Sequence, residues 1–471
     1  MTGILLAVRM QQAGIEDVTI FEKASRLGGT WRENTYPGVA CDVPSHMYTY
    51  SFAPNPNWNE LFASGDEIQA YFEQVASDQG VQSRIHFEET VTHCIFQENH
   101  WRVTTNQGRE IAADFVFNCT GILHRPVLPD IDGLDRFRGP TFHTARWDHD
   151  VELAGKRIGI IGTGATAAQA IPELAEVTEE LVVFQRTPQW ILPVGNRTMA
   201  PSVKRHLRKH PASLRRLKAF FTWFMSQFLT KAVIGYKVQN TIFTWLCKLN
   251  LRWSVKDRAL RAKLTPDYRV GCKRIIVNTT FYPAIQRPNV SIETEAIEAV
   301  SESAIHTVSG KQHALDVLVL ATGFDPMAYM RPMQVLGRNG QSIDQAWEGG
   351  IKAYRSICLP GFPNNFLMLG PNSPVGNYSV IAIAEVQCDY LLQLIERWRD
   401  GQFDTIEPTT AATENFRNYV KSGHRKTVWV GGCNSWYLDQ EGSPILWPYS
   451  WRQWTQEMAT PEMADFNTDA S

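Results

Sequence analysis

No two of the eight cysteines (Cys41, Cys94, Cys119, Cys247, Cys272, Cys358, Cys388 and Cys433) stand in a C-x-x-C spacing. A metal site built on such pairs is excluded, and neither a metal nor a disulfide is expected. An excess of one charge is also lacking. The net charge is -2 with 20% charged residues, which gives no global sign of nucleic-acid binding. Long apolar runs are missing as well: the densest, residues 219–229, falls short of the roughly 20 residues that cross a bilayer. The amino terminus carries no basic segment followed by a small-residue cleavage site, so the expected compartment is the reducing cytoplasm. What is present is 471 residues, 44% of them hydrophobic, enough for two or three domains.

One glycine turn is complete. Residues 156–161 read as a buried strand, followed by Gly162-Thr163-Gly164-Ala165-Thr166-Ala167 and a helix that includes Gln169. A G-x-G-x-x-A turn sets backbone N–H groups and a helix N-terminus against a pyrophosphate. The next strand, 181–184, runs into Gln185-Arg186-Thr187 and lacks the acid that an NAD site places there. A carboxylate would repel a 2′-phosphate whereas a guanidinium clasps it, so NADPH is expected over NADH.

A second unit of this kind is incomplete. Residues 3–14 read as an amphipathic helix and 18–22 as a strand ending in Glu22, 19 residues after Gly3. That interval suits an acid that holds ribose hydroxyls, with Gly3 as the third glycine of the turn. The first strand and the first two glycines are missing, so the chain reads as starting too late. From Met1 it is expected to be poorly folded or colourless, and an upstream strand with a Gly-x-Gly turn is expected to restore it. Residues 114–121 and 316–323 are apolar strands ending in Thr120-Gly121 and Thr322-Gly323. They read either as crossings between two nucleotide-binding domains or as plain buried strands with tight turns.

Two longer patterns are more specific. Phe137, Gly139, His143, Trp147 and Asp148 fit F-x-G-x-x-x-H-x-x-x-W-[P/D] at every fixed position. Gly28-Gly29-Thr30-Trp31, Tyr36-Pro37-Gly38 and Asp42 fit [A/G]-G-x-W-x-x-x-x-[F/Y]-P-[G/M]-x-x-x-D. Together they resemble the two signatures of the Baeyer–Villiger monooxygenases, and the resemblance runs from Gly3 to about Trp454. It implies an α/β fold with two Rossmann-like domains and a helical insertion. The FAD domain would comprise 1–140 and 355–471, the NADPH domain 141–354, and the insertion about 200–260.

The resemblance also implies FAD and NADPH as cofactors, and O2 with a ketone as substrates. The product would be an ester or lactone, formed through a C4a-peroxyflavin. Arg274 would face the peroxide, because a fixed cation stabilises the anion and the oxyanion formed on attack. Asp42 would hold Arg274, and Lys273 would reach the 2′-phosphate. Thr30, Trp31 and Tyr48 join Gly3, Glu22 and Asp42 on the flavin side, while the Trp436 indole would donate to the nicotinamide ribose. His143 is assigned to linker hydrogen bonding and domain motion, not to proton transfer. A helix from about Tyr378 would point its N-terminus at the flavin pyrimidine ring. Residues 201–236 place a Lys/Arg-rich segment beside an aromatic one. They read as a cap over the substrate cleft or as a peripheral membrane contact, and either implies an apolar substrate. The alternatives are a flavin-dependent N- or S-oxygenase, or an NADPH-binding remnant without FAD.

Overall fold

The computed structural model describes every residue except Asn377, Asn434, Gln440, Ala470 and Ser471. Its central unit is a five-stranded parallel sheet. The strands run in the order Val290–Glu293, Glu180–Phe184, Arg157–Ile161, Val317–Leu320 and Thr141–His143. These are short β-branched runs, and Val317–Leu320 is buried throughout, as expected of a parallel sheet covered on both faces. Helix Ala165–Val177 lies on the sheet through Ala167, Ala168, Ile171 and Leu174. On the opposite face of the sheet, Gly159 permits close packing, since a Cβ would sit 2.5 Å from Leu315 Cδ1.

The two ends of the chain form the second unit. Helix Thr2–Gln12 buries Ile4, Leu5, Leu6, Val8 and Met10 in one core with Ile383, Ala384 and Leu391 of helix Val380–Arg399. Two separate parallel strand pairs complete its sheet layer: Ile20–Phe21 with Ile85–His86, and Val116–Asn118 with Asn365–Leu367. The Met1 amino group is buried near Glu22 and Cys119, at the ends of one strand from each pair; burial lowers its pKa. A four-stranded sheet is appended, in the order Gln334–Leu336, Val91–Gln97, His100–Thr105, Glu110–Ala113. Strand pairing therefore returns the chain to the end-formed unit by residue 334, ahead of 355. The two crossings touch, with the Val127 N–H donating to the Gly323 carbonyl at 3.0 Å.

The insertion is helical, as Pro201–Lys209, Pro211–Met225, Lys237–Ser254 and Arg258–Lys263. Its inner face packs Phe243 and Cys247 against Trp190, Val270 and Ile275. Lys218 Nζ ties it to the end-formed unit by donating to the Thr49 carbonyl at 2.9 Å. Among the described residues no helix is long and apolar enough to cross a membrane.

One expectation is overturned. Cys272 and Cys433 form a disulfide, with Cα atoms 6.3 Å apart across a sequence separation of 161. Short cysteine spacings cannot reveal a pair that topology brings together, and this bond clips the Lys273-Arg274 step to the loop carrying Trp436 and Tyr437.

Candidate active site

Arg274 and Asp42 lie 232 positions apart in the sequence and meet face to face. Arg274 Nε donates to Asp42 Oδ2 at 2.7 Å, and Nη2 donates to Oδ1 at 2.6 Å. A bidentate pair of this kind fixes the guanidinium plane as well as its position. Burial pushes the Asp42 carboxyl up, but the charge and hydrogen bonds of Arg274 outweigh it and hold the group below its usual range. The Asp42 charge in turn raises the Arg274 pKa well above the ordinary value, against the opposing effect of burial. Arg274 is a permanent cation here.

Two neighbours of that cation were not assigned from sequence. Gly376 lies at φ +94°, and a Cβ there would sit 3.1 Å from the Tyr437 hydroxyl and 3.7 Å from Arg274 Nη1. Glycine at 376 thus leaves room for the guanidinium edge and for the phenol, whose own pKa burial raises. The signal available was weak, a glycine before a helix and a tyrosine beside the expected Trp436. Trp436 itself is half-buried, with its ring 4.5 Å from that of Tyr437.

The turn Gly162–Ala167 is assembled as its spacing demands. Gly162 adopts φ +118°, and a Cβ there would collide with the Ala321 carbonyl at 2.4 Å. Gly164 caps helix Ala165–Val177 without a side-chain partner, and a Cβ there would meet nothing within 4 Å. As first-turn groups, the N–H groups of Ala165, Thr166 and Ala167 have no partner within the helix. Thr163 Oγ1 donates to the Thr187 carbonyl at 2.8 Å, tying the turn to the strand end that carries Arg186. Arg186 is exposed, and Lys273 stands close enough that burial first and the Arg186 charge second lower its pKa. Two cations held together against their repulsion are a ready anion site.

The two signature stretches touch one another. Glu33 accepts from Arg32 Nη2 at 2.5 Å and pairs with Arg146, while Thr35 Oγ1 and His149 Nε2 lie 2.8 Å apart. Tyr36 donates to Gln169 Oε1 at 2.7 Å, and Gln169 Nε2 donates to the Ala40 carbonyl at 2.9 Å. The first signature is thereby docked on the central unit's nucleotide helix. In the second, Gly139 packs where a Cβ would lie 2.3 Å from the Asp316 carbonyl, and Phe137 is buried against Val182 and Phe184. His143 ends the edge strand; its Nδ1 accepts the Ala145 N–H at 3.0 Å and its ring stands edge-on to Phe324 beside the second crossing. Trp147 packs edge-on to Phe142, and Asp148 accepts the Asp150 N–H at 3.0 Å.

On the flavin side, Thr30 opens the short helix Thr30–Glu33, and Trp31 Nε1 donates to the Tyr48 hydroxyl at 3.0 Å. Gly3 lies beside Cys119, with a Cβ 3.9 Å from the Cys119 Cβ. Glu22 Oε1 accepts the Ala24 N–H and sits 3.0 Å from Arg32 Nη1. A largely apolar cavity of about 740 Å³ opens between the end-formed unit and the insertion, lined among others by Tyr50, Leu214, Trp223, Tyr236, Tyr378 and Trp451. Arg274 does not line it. Tyr378, two residues from Gly376 in sequence, lines the cavity, and its hydroxyl accepts the Trp451 N–H at 3.1 Å.

Two nucleotide-binding units, a signature clamp between them and a fixed arginine define a class, the two-dinucleotide flavoproteins. Residues 8–333 match the family described as flavin-binding monooxygenase-like. The chain is 45% identical to an uncharacterized monooxygenase of Mycobacterium bovis, over 92% of this chain and 87% of that protein. It is 38% identical to a Baeyer–Villiger monooxygenase of Streptomyces coelicolor, over 98% and 90%. An oxidized steroid monooxygenase bound to NADP superposes with a TM-score of 0.89 at 29% identity, covering 100% of this chain and 98% of that one. The chain belongs to the Baeyer–Villiger monooxygenases of the flavin-binding monooxygenase-like family.

Proposed function

We propose that this protein uses FAD, NADPH and O2 to convert an apolar ketone into an ester or lactone. The single observation that carries the reading is the bidentate Asp42–Arg274 pair, whose Nη1 lies beside Gly376 and whose guanidinium also hydrogen-bonds Tyr437. Insertion of oxygen beside a carbonyl builds negative charge on oxygen at the moment of attack. A cation already fixed in place stabilises that charge without reorganising. Arg274 is held charged and therefore supplies a field, not a proton.

The residues present fit NADPH. The open first turn at Gly164 and the Arg186–Lys273 pair suit the pyrophosphate and 2′-phosphate of NADPH, and the steroid monooxygenase with the same fold is bound to NADP. Glu22, Thr30, Trp31 and Tyr48 are the flavin-side residues. When bound, the flavin supplies activated oxygen at the expense of a hydride from NADPH. Asp42 positions Arg274 for that chemistry; the Glu33–Arg146 contact joins the linker to the Gly28–Asp42 signature, and His143 braces the linker beside the second crossing. The apolar cavity receives the substrate.

The test is product analysis. The purified protein, NADPH and 18O-labelled O2 are incubated with linear, cyclic, aryl and steroid ketones. The expected result is an ester or lactone carrying one labelled oxygen, with NADPH consumption that depends on the ketone. NADPH consumption that no ketone increases, with no ester formed, contradicts the proposal.

A further inference from the structure

Charge is distributed very unevenly along this nearly neutral chain. Residues 201–263 hold fifteen of the 46 Lys and Arg but one of the 48 Asp and Glu, Asp257. The remaining residues hold 31 against 47. Among the described residues none of the fifteen cations is in a salt bridge, although the rest of the molecule is rich in them. The acidic residues nearest to them, Glu67 beside Lys204 and Glu385 beside Lys218, leave most of this positive charge unmatched.

The same segment displays apolar side chains to solvent. Val203, Phe220, Trp223, Phe224, Tyr236, Val238, Ile242, Trp245 and Trp253 are nine of the fifteen exposed large hydrophobics of the described residues. They are ordered, not scattered. On helix Lys237–Ser254, Val238, Ile242, Trp245 and Trp253 follow one helical stripe, opposite the buried Phe243 and Cys247. On helix Pro211–Met225, Phe220 stacks on Phe224, and Phe224 stacks on Phe228 at 4.9 Å. That helix has a second side: Pro211, Leu214, Lys218 and Trp223 line the cavity.

We propose that the helical insertion docks this protein on an anionic lipid surface. Indoles and phenyl rings with Lys and Arg among them match the chemistry of the headgroup boundary, where rings sit at the interface and cations meet lipid phosphates. Aliphatic Val203, Val238 and Ile242, also exposed on the insertion, suit acyl chains, and nucleic acid offers them nothing to contact. The acidic remainder is repelled by an anionic surface, so the docked orientation is set by the molecule's own charge asymmetry. Docking through helix Pro211–Met225 brings the cavity wall to the bilayer. A substrate dissolved in the lipid then reaches the cavity without crossing water; this last step rests on the function proposed above, whereas the docking does not.

The experiment is co-sedimentation of the full-length purified protein with extruded vesicles, one set of pure phosphatidylcholine and one with 30% phosphatidylglycerol. Binding is expected to the anionic vesicles only, falling steeply as salt rises from about 0.05 to 0.5 M. Arg208→Gln, Lys209→Gln and Arg216→Gln together should weaken it about 100-fold. Trp245→Ser with Trp253→Ser should weaken it by roughly tenfold or more. Circular dichroism of each variant separates lost docking from lost fold, and since none of these residues lines the cavity, activity on a water-soluble ketone should be kept. Absence of binding to anionic vesicles overturns the proposal. So does self-association that covers the tryptophans while vesicles stay unbound, or binding of single-stranded DNA without binding of vesicles.

Discussion

The central unit and the unit formed by the two chain ends solve similar problems by different routes. In the central unit, a continuous five-stranded parallel sheet carries the turn Gly162–Ala167 and, one strand later, Arg186; most of the site comes from about 30 consecutive residues. The end-formed unit has its nucleotide-side strands in two separate pairs, and the site it shares with Arg274 draws on Asp42, Gly376 and Tyr437. Recognition of a phosphate is a backbone task that a short segment can perform. A fixed cation above a reacting centre requires side chains locked from several directions, and that locking comes from distant parts of the chain.

Breaking the distributed site should cost most. Asp42→Ala leaves the guanidinium without its bidentate partner and free to swing, and ketone oxidation is expected to drop about 10²–10³-fold in kcat. NADPH should still reduce the flavin at near the parental rate, which stopped-flow absorbance measures separately. An equal loss in the reduction step would show that Asp42 holds up the fold and not the cation.

The disulfide sharpens the same contrast, because it crosses from the central unit's Cys272 to the terminal loop at Cys433. Cys433→Ser is expected to lower stability by about 2–4 kcal/mol, read from guanidinium unfolding midpoints. Identical midpoints for parent and variant would contradict the bond's contribution. In the local site, Arg186→Ala should raise the NADPH KM by a factor matching about 1.5–3 kcal/mol while the NADH KM stays put. A matching rise for both nicotinamides would refute the 2′-phosphate assignment.

The smallest expected effect lies at Glu293, at the edge of the central sheet. Its carboxylate accepts from Lys311 Nζ at 2.8 Å and lies 3.1 Å from His313 Nε2. Burial raises its pKa, but these partners and the backbone N–H groups outweigh that and bring it down to about 2. A depressed carboxylate adds stability that is fully present above its unfolded pKa of about 4.3 and is lost as pH falls from there toward 2. Glu293→Gln should therefore cost about 1 kcal/mol at pH 7, because Lys311 is exposed, and much less at pH 3. Urea midpoints at the two pH values decide it.

The sequence disclosed the local site well and the distributed one in part. The turn at Gly162–Ala167 and the strand–helix–strand order around it follow from spacing that adjacent residues impose on one another, whereas the helical character of 201–260 came only through the resemblance. Arg274 and Asp42 were reachable only through the resemblance, since nothing in residues 42 or 274 announces a partner 232 positions away. Tyr437, Gly376 and the Cys272–Cys433 bond had no such guide. The contacts Glu33–Arg146 and Thr35–His149, which join the two signature stretches, were hidden for the same reason. The segment 324–354 reads as part of the central unit by chain order, yet its strand Gln334–Leu336 pairs with Val91–Gln97. Pairing across 240 residues leaves no trace in local periodicity.

The central claim is that Arg274 is a fixed charge serving ester formation, and one measurement reaches it directly. Arg274→Ala is given NADPH, O2 and, in parallel, a ketone accepted by the parent and an aryl alkyl sulfide. The account predicts that ester formation falls at least about 100-fold while sulfoxide formation, which does not require an anionic oxygen nucleophile, is largely kept. Ester formed at the parental rate, or both products lost together with the flavin still bound, would contradict it.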